Sequence, residues 1–326
     1  MTAQAIRIHE PGGPEVMQLE AIDPGPPGPG EVRLRQTHIG VNYIDVYFRT
    51  GLYPTATRPF VPGVEAAGEI VALGAGVDGF AVGQRVAYAA RPPGAYAEER
   101  IIAADRLVAL PEDIDNAQAA AMMLKGMTAH MLLQRVHSVQ AGEAVLIHAA
   151  AGGVGLLACQ WANALGATVI GTVGSREKAE LARANGCHHP VRYRDDDVAE
   201  AVRDITDGHG VAAVYDSVGA DTLETSLQCL GRRGILVSFG QSSGTPPAIE
   251  VGRLAAGGSL FLTRPTLFDY IDTRDERQAA ADALFDVVAR GVVAIHIGQQ
   301  YPLAEAAAAH RALEARETTG STVLTV

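Results

Sequence analysis

Val145-Leu146-Ile147-His148-Ala149-Ala150-Ala151-Gly152-Gly153-Val154-Gly155 reads as an apolar strand running into a small-residue turn and then a helix. A dinucleotide pyrophosphate sits at such a junction. Gly152 lets the backbone approach the phosphates, and Gly155 lets the helix pack close to its strand. Gly153 and Val154 open the helix, whose N-terminus offers unpaired N–H groups and a partial positive charge to an anion. The first glycine of the usual fingerprint is Ala150 here. The competing reading is a helix start chosen only for tight packing. The order of strand, turn, helix and second strand favours the nucleotide.

The second strand says which dinucleotide. An acidic residue near its end would hold a ribose 2′-OH. The strand Thr168–Val173 ends on an apolar residue, and Ser175, Arg176 and Lys178 follow. That pattern suits a 2′-phosphate, so the expected cofactor is NADPH. The alternative is an ordinary solvated helix start, with Glu177 between the two cations.

The chain has 326 residues, enough for about two domains. A net charge of −11 argues against a nucleic-acid surface, which needs clustered Lys and Arg. No apolar run is long enough for a membrane span, and no secretory signal is present. Cys159, Cys187 and Cys229 are scattered without Cys-x-x-Cys spacing. They read as free thiols in a cytoplasmic protein.

The first 120 residues read as β-rich, with runs such as Glu31–His38, Ala66–Leu73 and Gln84–Ala89 divided by Gly/Pro turns. They suggest a small barrel. Helices are expected at Ala117–Ala121 and Thr128–Val136. Alternating strands and helices then run from Ala144 to Leu262, which implies a parallel sheet. His188-His189 before Pro190 reads as a turn. The expected architecture is a barrel-like domain built from both chain ends, residues 1–121 and 266–326, into which a doubly wound Rossmann α/β domain, residues 122–265, is inserted.

The chain resembles, over nearly its whole length, the medium-chain dehydrogenase/reductase superfamily, and within it the zinc-independent NADPH:quinone oxidoreductases related to zeta-crystallin. The blocks that carry the resemblance are Gly40–Tyr47, Gly51–Pro54, Pro62–Gly68, Lys125–Ala129, Ala149–Gly155, Tyr215–Gly219 and Thr263–Pro265. It implies a GroES-like catalytic domain around the Rossmann domain. The zinc alcohol dehydrogenases of the superfamily carry a catalytic Cys where this chain has Asn42, and Gly-His-Glu where it has Gly63-Val64-Glu65. Amide and valine side chains cannot replace thiolate and imidazole as zinc ligands. No metal site is therefore expected, and the acceptor must take hydride readily. A quinone does so, because its product is aromatic.

The resemblance implies Asn42, Tyr47, Tyr53 and Arg264 as catalytic-site residues. The tyrosines would offer hydroxyls and stacking faces, and Arg264 would stabilise oxyanion charge or hold cofactor phosphates. A half-buried core aromatic is the other reading of each tyrosine. Cofactor contacts are implied for Asn42, Thr128, Gly152, Gly153, Val154, Ser175, Lys178, Tyr193, Ser217, Phe239, Gly240, Ser242, Arg264 and Arg316. Tyr193 would lie by the adenine or the 2′-phosphate. Arg316 would come from the C-terminal helix as a second phosphate partner, or else form a surface pair with Glu314 or Glu317. The strand Ser259–Leu262 is an apolar edge, expected to pair with its twofold mate in a homodimer. The main rival activity is NADPH-dependent reduction of enone or enal C=C bonds, which needs a general acid such as Tyr47 or Tyr53. A structural or RNA-binding role is the non-enzymatic alternative, and the acidic balance opposes RNA.

Overall fold

The computed structural model describes residues 2–326. Two compact units form. The first holds residues up to 125 with 271–282 and 295–326; the second holds 126–270 with 283–294.

In the first unit, β1 (Ala3–Ile8) and β2 (Met17–Ile22) make an antiparallel hairpin. Then come β3 (Glu31–Val41), α1 (Tyr43–Arg49), β4 (Glu65–Leu73), β5 (Arg85–Ala89), β6 (Glu99–Ala103), β7 (Val108–Ala109) and α2 (Asn116–His130), whose residues from Gly126 on belong to the second unit. The second unit holds β8 (Ala144–Ile147), α3 (Gly153–Ala164), β9 (Thr168–Val173), α4 (Arg176–Ala184), β10 (His189–Arg192) and α5 (Val198–Ile205). It continues with β11 (Val211–Asp216), α6 (Leu223–Cys229), β12 (Leu230–Ser238), α7 (Val251–Ala256), β13 (Phe261–Thr263) and α8 (Leu267–Tyr270). The chain ends with α9 (Arg274–Ala289), β14 (Ile297–Pro302), α10 (Ala306–Glu314) and β15 (Ser321–Thr325).

The sheet of the first unit runs β14-β15-β3-β4-β5-β7, with β6 also on β3. Val32, Leu34 and Ile39 of β3 and Ala66 and Ile70 of β4 join Tyr88 and Tyr96 in one core. The sheet of the second unit is parallel and runs β10-β9-β8-β11-β12-β13. That is the doubly wound order, and its strand direction of growth reverses between β8 and β11. Ligands of such sheets bind beyond the carboxyl ends of the two strands at this reversal, where the turn after β8 lies.

Four expectations change. The two helices read at Ala117–Ala121 and Thr128–Val136 are one helix, α2, which runs on as a π-turn over residues 131–136. Gly126 lies inside this helix, and Leu284 packs where its Cβ would be, 2.6 Å from Cδ2. His189 and Pro190 stand in the edge strand β10, where a proline's missing N–H costs little. The apolar edge strand is Phe261–Thr263, because Ser259 turns the chain at φ 61° before it. The helix α1 was not expected at all.

The compact units also divide at other points than the expected 122 and 265. Helix α9 spans two of those segments. Near its start, buried Arg277 donates to the carbonyls of Asp105, Ile271 and Asp272. Further along, Leu284 packs on Gly126.

Candidate active site

The turn after β8 is built as an anion cradle. Gly152 is the N-cap of α3; no side chain bonds the first-turn amides, and that turn holds no acid. These donors therefore face outward with the positive end of the helix dipole. The neighbouring helices α4 and α5 are capped instead by Ser175 and Asp197. A Cβ on Gly155 would overlap the Ala149 carbonyl and lie 2.8 Å from Ala150 Cα. Only glycine lets α3 sit this close to the turn. The Ala150 departure is compensated: its methyl fills the space left by Gly171 on β9, where a Cβ would come within 2.6 Å of it. These features fit the phosphates of a dinucleotide.

The end of β9 fits the adenosine side. Ser175 Oγ accepts the Lys178 amide at 3.3 Å. Glu177 folds its carboxylate back onto its own amide and the Ser175 hydroxyl, which hold it below the usual range. An anion thus already rests at the N-terminus of α4. Tyr193 is 40% exposed, and its hydroxyl lies 2.8 Å from where a Cβ on Gly174 would stand. Gly174 makes room for this ring beside the β9 turn.

Two further loops meet at the carboxyl ends of β11 and β12. Ser217 and Gly240 touch backbone to backbone; a Cβ on Gly240 would stand 2.8 Å from Ser217 Cα. The Phe239 amide donates to Asp216 O at 2.8 Å, and the Ser242 amide to Ser217 O at 3.2 Å. Arg264 clamps this loop. Its guanidinium donates to Ser238 O at 3.2 Å, Gly240 O at 2.7 Å and Gln241 Oε1 at 3.0 Å. Its observed work is to brace residues 238–241. Thr128 is half-buried on α2.

In the first unit Asn42 is the N-cap of α1. Its amide nitrogen donates to Glu65 Oε2 at 2.7 Å and to Gly40 O at 3.3 Å. Both of its side-chain N–H bonds are thus committed inside the protein, and its side-chain oxygen accepts the Asp45 amide in a capping box at the start of α1. Glu65 is fully buried and also accepts the Leu124 amide at 2.7 Å and Lys125 Nζ at 3.2 Å. The position that would need a zinc-binding thiolate is a fixed amide, and Val64 beside Glu65 is fully buried. Among the described residues, no group of three or more His, Cys, Asp or Glu is arranged to hold a metal.

Helix α1 brings the expected tyrosines together. Tyr47 lies 5.1 Å from Tyr53 and 5.5 Å from Tyr43, centroid to centroid, and Phe48 stands 5.8 Å from Tyr53. Arg91 adds a cation, 5.7 Å from the Phe48 ring and 5.8 Å from that of Tyr53. Neither Arg91 nor Lys125 was expected as a site residue. Arg316 belongs to this unit; it follows α10 in a left-handed conformation, φ 59°, instead of lying on the helix, and its charge acts on Tyr43. Glu314, its suggested surface partner, binds Arg49 at 2.7 Å.

Behind Asn42 lies a buried polar chain. Asp45 Oδ2 accepts the Asn42 amide at 2.9 Å and the Tyr96 hydroxyl at 3.0 Å. That hydroxyl is also 3.0 Å from His310 Nε2. Burial pushes the Asp45 carboxyl up to about 7. Burial, helped by Arg49, pulls His310 down to about 3. The two act on stability with opposite signs. Between about pH 4 and 7 folded Asp45 holds a proton that the unfolded chain has lost, so its contribution falls as pH rises. Between about pH 3 and 6.5 unfolded His310 holds a proton that the folded chain lacks, so its contribution grows as pH rises. Asp45→Asn is expected to leave a stability that climbs by up to ~1.4 kcal/mol per pH unit over that range, and His310→Gln one that falls. Thermal melts from pH 4 to 7 measure both slopes. Equal slopes in the two variants would contradict this assignment.

A glycine-capped cradle at the reversal of a doubly wound sheet, with a second β-rich unit, defines a nucleotide-dependent oxidoreductase of the alcohol-dehydrogenase type. Family models agree. That of the alcohol dehydrogenase GroES-like domain matches residues 28–112, and that of the zinc-binding dehydrogenases matches 153–288. A quinone oxidoreductase of Pseudomonas aeruginosa is 52% identical over 322 residues, covering 99% of each chain. A 2-haloacrylate reductase of a Burkholderia species is 48% identical, covering 97% of each. The crystal structure of Escherichia coli quinone oxidoreductase complexed with NADPH superposes with a TM-score of 0.97 at 46% identity, covering 99% of this chain and 100% of that one. The chain belongs to the quinone oxidoreductase family of the medium-chain dehydrogenases/reductases.

Proposed function

We propose that this protein is an NADPH:quinone oxidoreductase that works without zinc. The observation that carries the reading is the bare, glycine-capped N-terminus of α3, followed by a second strand that ends without an acid and leads into Ser175 and Lys178. NADPH, when bound, supplies the hydride. Gly152, Gly153 and Val154 hold the pyrophosphate, and Ser175, Lys178 and Tyr193 hold the 2′-phosphate and adenine. Thr128, Ser217, Phe239, Gly240 and Ser242 complete the cofactor contacts, with Arg264 bracing the loop at residues 238–241. Arg316 remains a candidate phosphate partner. On the first unit, Tyr47 and Tyr53 stack on the quinone and donate to its oxygens, while Asn42 lines the nicotinamide end of the cofactor. This chemistry needs positioning and hydrogen bonds more than proton delivery to carbon.

The haloacrylate reductase among the relatives favours a second reading, reduction of activated C=C bonds. Tyr47→Phe separates the two. Quinone reduction is expected to survive with a loss in kcat of roughly tenfold or less, below the ~100-fold or more that a general acid contributes. A 1,000-fold loss, with enones reduced better than quinones by the wild type, would support C=C reduction instead.

The assembly we propose is a homodimer. Strand β13 has a partner on one side, β12, and exposes Phe261 at 60% and Leu262 at 41%. A twofold mate would cover this edge. Phe261→Glu is expected to convert the dimer into a monomer in sedimentation velocity. A wild-type monomer at micromolar concentration would end the proposal. No helix is long and apolar enough to cross a membrane among the described residues, and the three free cysteines are buried, which suits a reducing cytoplasm.

A further inference from the structure

The carboxyl ends of β8, β9 and β11 carry a chain of buried polar side chains that the proposed chemistry leaves unused. Thr172 and His148 are each 3% exposed, Asp216 is 1% and Ser226 is fully buried. Their hydrogen-bond directions follow from Asp216. It accepts the Val218 amide at 2.8 Å, the Gly219 amide at 3.0 Å and the Thr222 hydroxyl at 2.8 Å. Ser226 Oγ lies 2.8 Å from Asp216 Oδ2, so the serine donates there. With its proton spent, Ser226 Oγ must accept from His148 Nε2, 3.0 Å away. Burial keeps the ring neutral, so Nδ1 is bare and accepts the Thr172 hydroxyl at 3.0 Å. Thr172 Oγ1 then accepts the Ala149 amide at 3.3 Å.

Ala149 is where this chain reaches the cradle. Its φ is 52°, a left-handed conformation that costs a side-chain-bearing residue about 1–2 kcal/mol. Its carbonyl accepts the Gly152 amide at 2.9 Å and starts the turn. Something must hold it there.

We propose that His148 is a positioning residue of the nucleotide cradle. As the Nε2–H tautomer it passes the fixed acceptor direction of Asp216 through Ser226 and Thr172 to the Ala149 amide, and so holds the strained residue from which the Gly152 turn is built. This rests on the reading of that turn as the phosphate cradle.

Two measurements test it. Long-range ¹H–¹⁵N correlation of the histidine rings, without nucleotide, is expected to find His148 neutral at pH 7.5 with its proton on Nε2. The Nδ1–H tautomer or an imidazolium would overturn the proposal. In the second, NADPH affinity is read by fluorescence. Thr172→Val keeps the shape but strands the Ala149 amide, and is expected to raise the Kd about tenfold. Ala149→Gly in that background removes the left-handed cost and is expected to restore the Kd to within about threefold of wild type. Failure of the second substitution to recover binding would overturn the proposal, since a merely damaged core would not be rescued there. Wild-type protein that does not bind NADPH would instead sink the reading of the cradle, and the tautomer is measured independently of it.

Discussion

Lys178→Ala is expected to raise the Kd for NADPH by roughly 10- to 100-fold while leaving that for NADH within about twofold, since a charge-assisted hydrogen bond contributes ~1.5–3 kcal/mol. Val173, the last residue of β9, is apolar where a diol-binding acid would stand. The chain then turns through Gly174 and Ser175 into α4, whose first turn already holds the Glu177 carboxylate. A 2′-phosphate in that place gains the Ser175 hydroxyl, the helix amides and the Lys178 ammonium. The ribose hydroxyl of NADH gains none of the charge term. Titration of both nucleotides into both proteins measures the ratio. Equal losses for the two would refute the 2′-phosphate role.

Gly155→Ala is the second large effect. The added methyl has nowhere to go. It overlaps the Ala149 carbonyl and stands 2.8 Å from Ala150 Cα and 2.9 Å from its carbonyl carbon, all backbone of the cradle. Backbone cannot rotate aside as a flexible side chain can, so α3 must move off the sheet or the turn must deform. Overpacking of this kind costs ~1–3 kcal/mol, and a fall in Tm of about 5 °C is expected. Because the deformed atoms are those that carry Gly152, NADPH affinity is expected to fall at least tenfold beyond any change in fold stability. Calorimetry and nucleotide titration on the same sample separate the two. An unchanged Kd would show that the turn after β8 does not hold the pyrophosphate.

The nucleotide half was legible because its signals are local. Strand, turn and helix at 145–155 sit next to one another in sequence, and an alternation of strands and helices leaves few topologies open. Even the Ala150 departure has its answer one strand away, in Gly171. The acceptor half was legible only through resemblance. Glu65 has no partner near it in sequence: Asn42, Leu124 and Lys125 lie 23, 59 and 60 positions away. Tyr96 and His310 meet across 214 positions. No periodicity links such residues; only the pairing of β3 with β4 and β15 does. Helix α1 was hidden because Gly40-Val41-Asn42 reads as strand and loop, and its seven residues are too short for a clear apolar stripe. Its cap, with Asn42 and Asp45 three apart, was the one signal that could have shown it.

The central claim is that hydride passes from NADPH to a quinone. Steady-state rates of NADPH oxidation by the purified protein, with 1,4-benzoquinone and 2-cyclohexenone as parallel acceptors and NADH as the control donor, test it most directly. The account predicts that kcat/KM with NADPH and the quinone exceeds that with NADH and that with the enone, each by at least tenfold. A preference for NADH, or for the enone over the quinone, would contradict it.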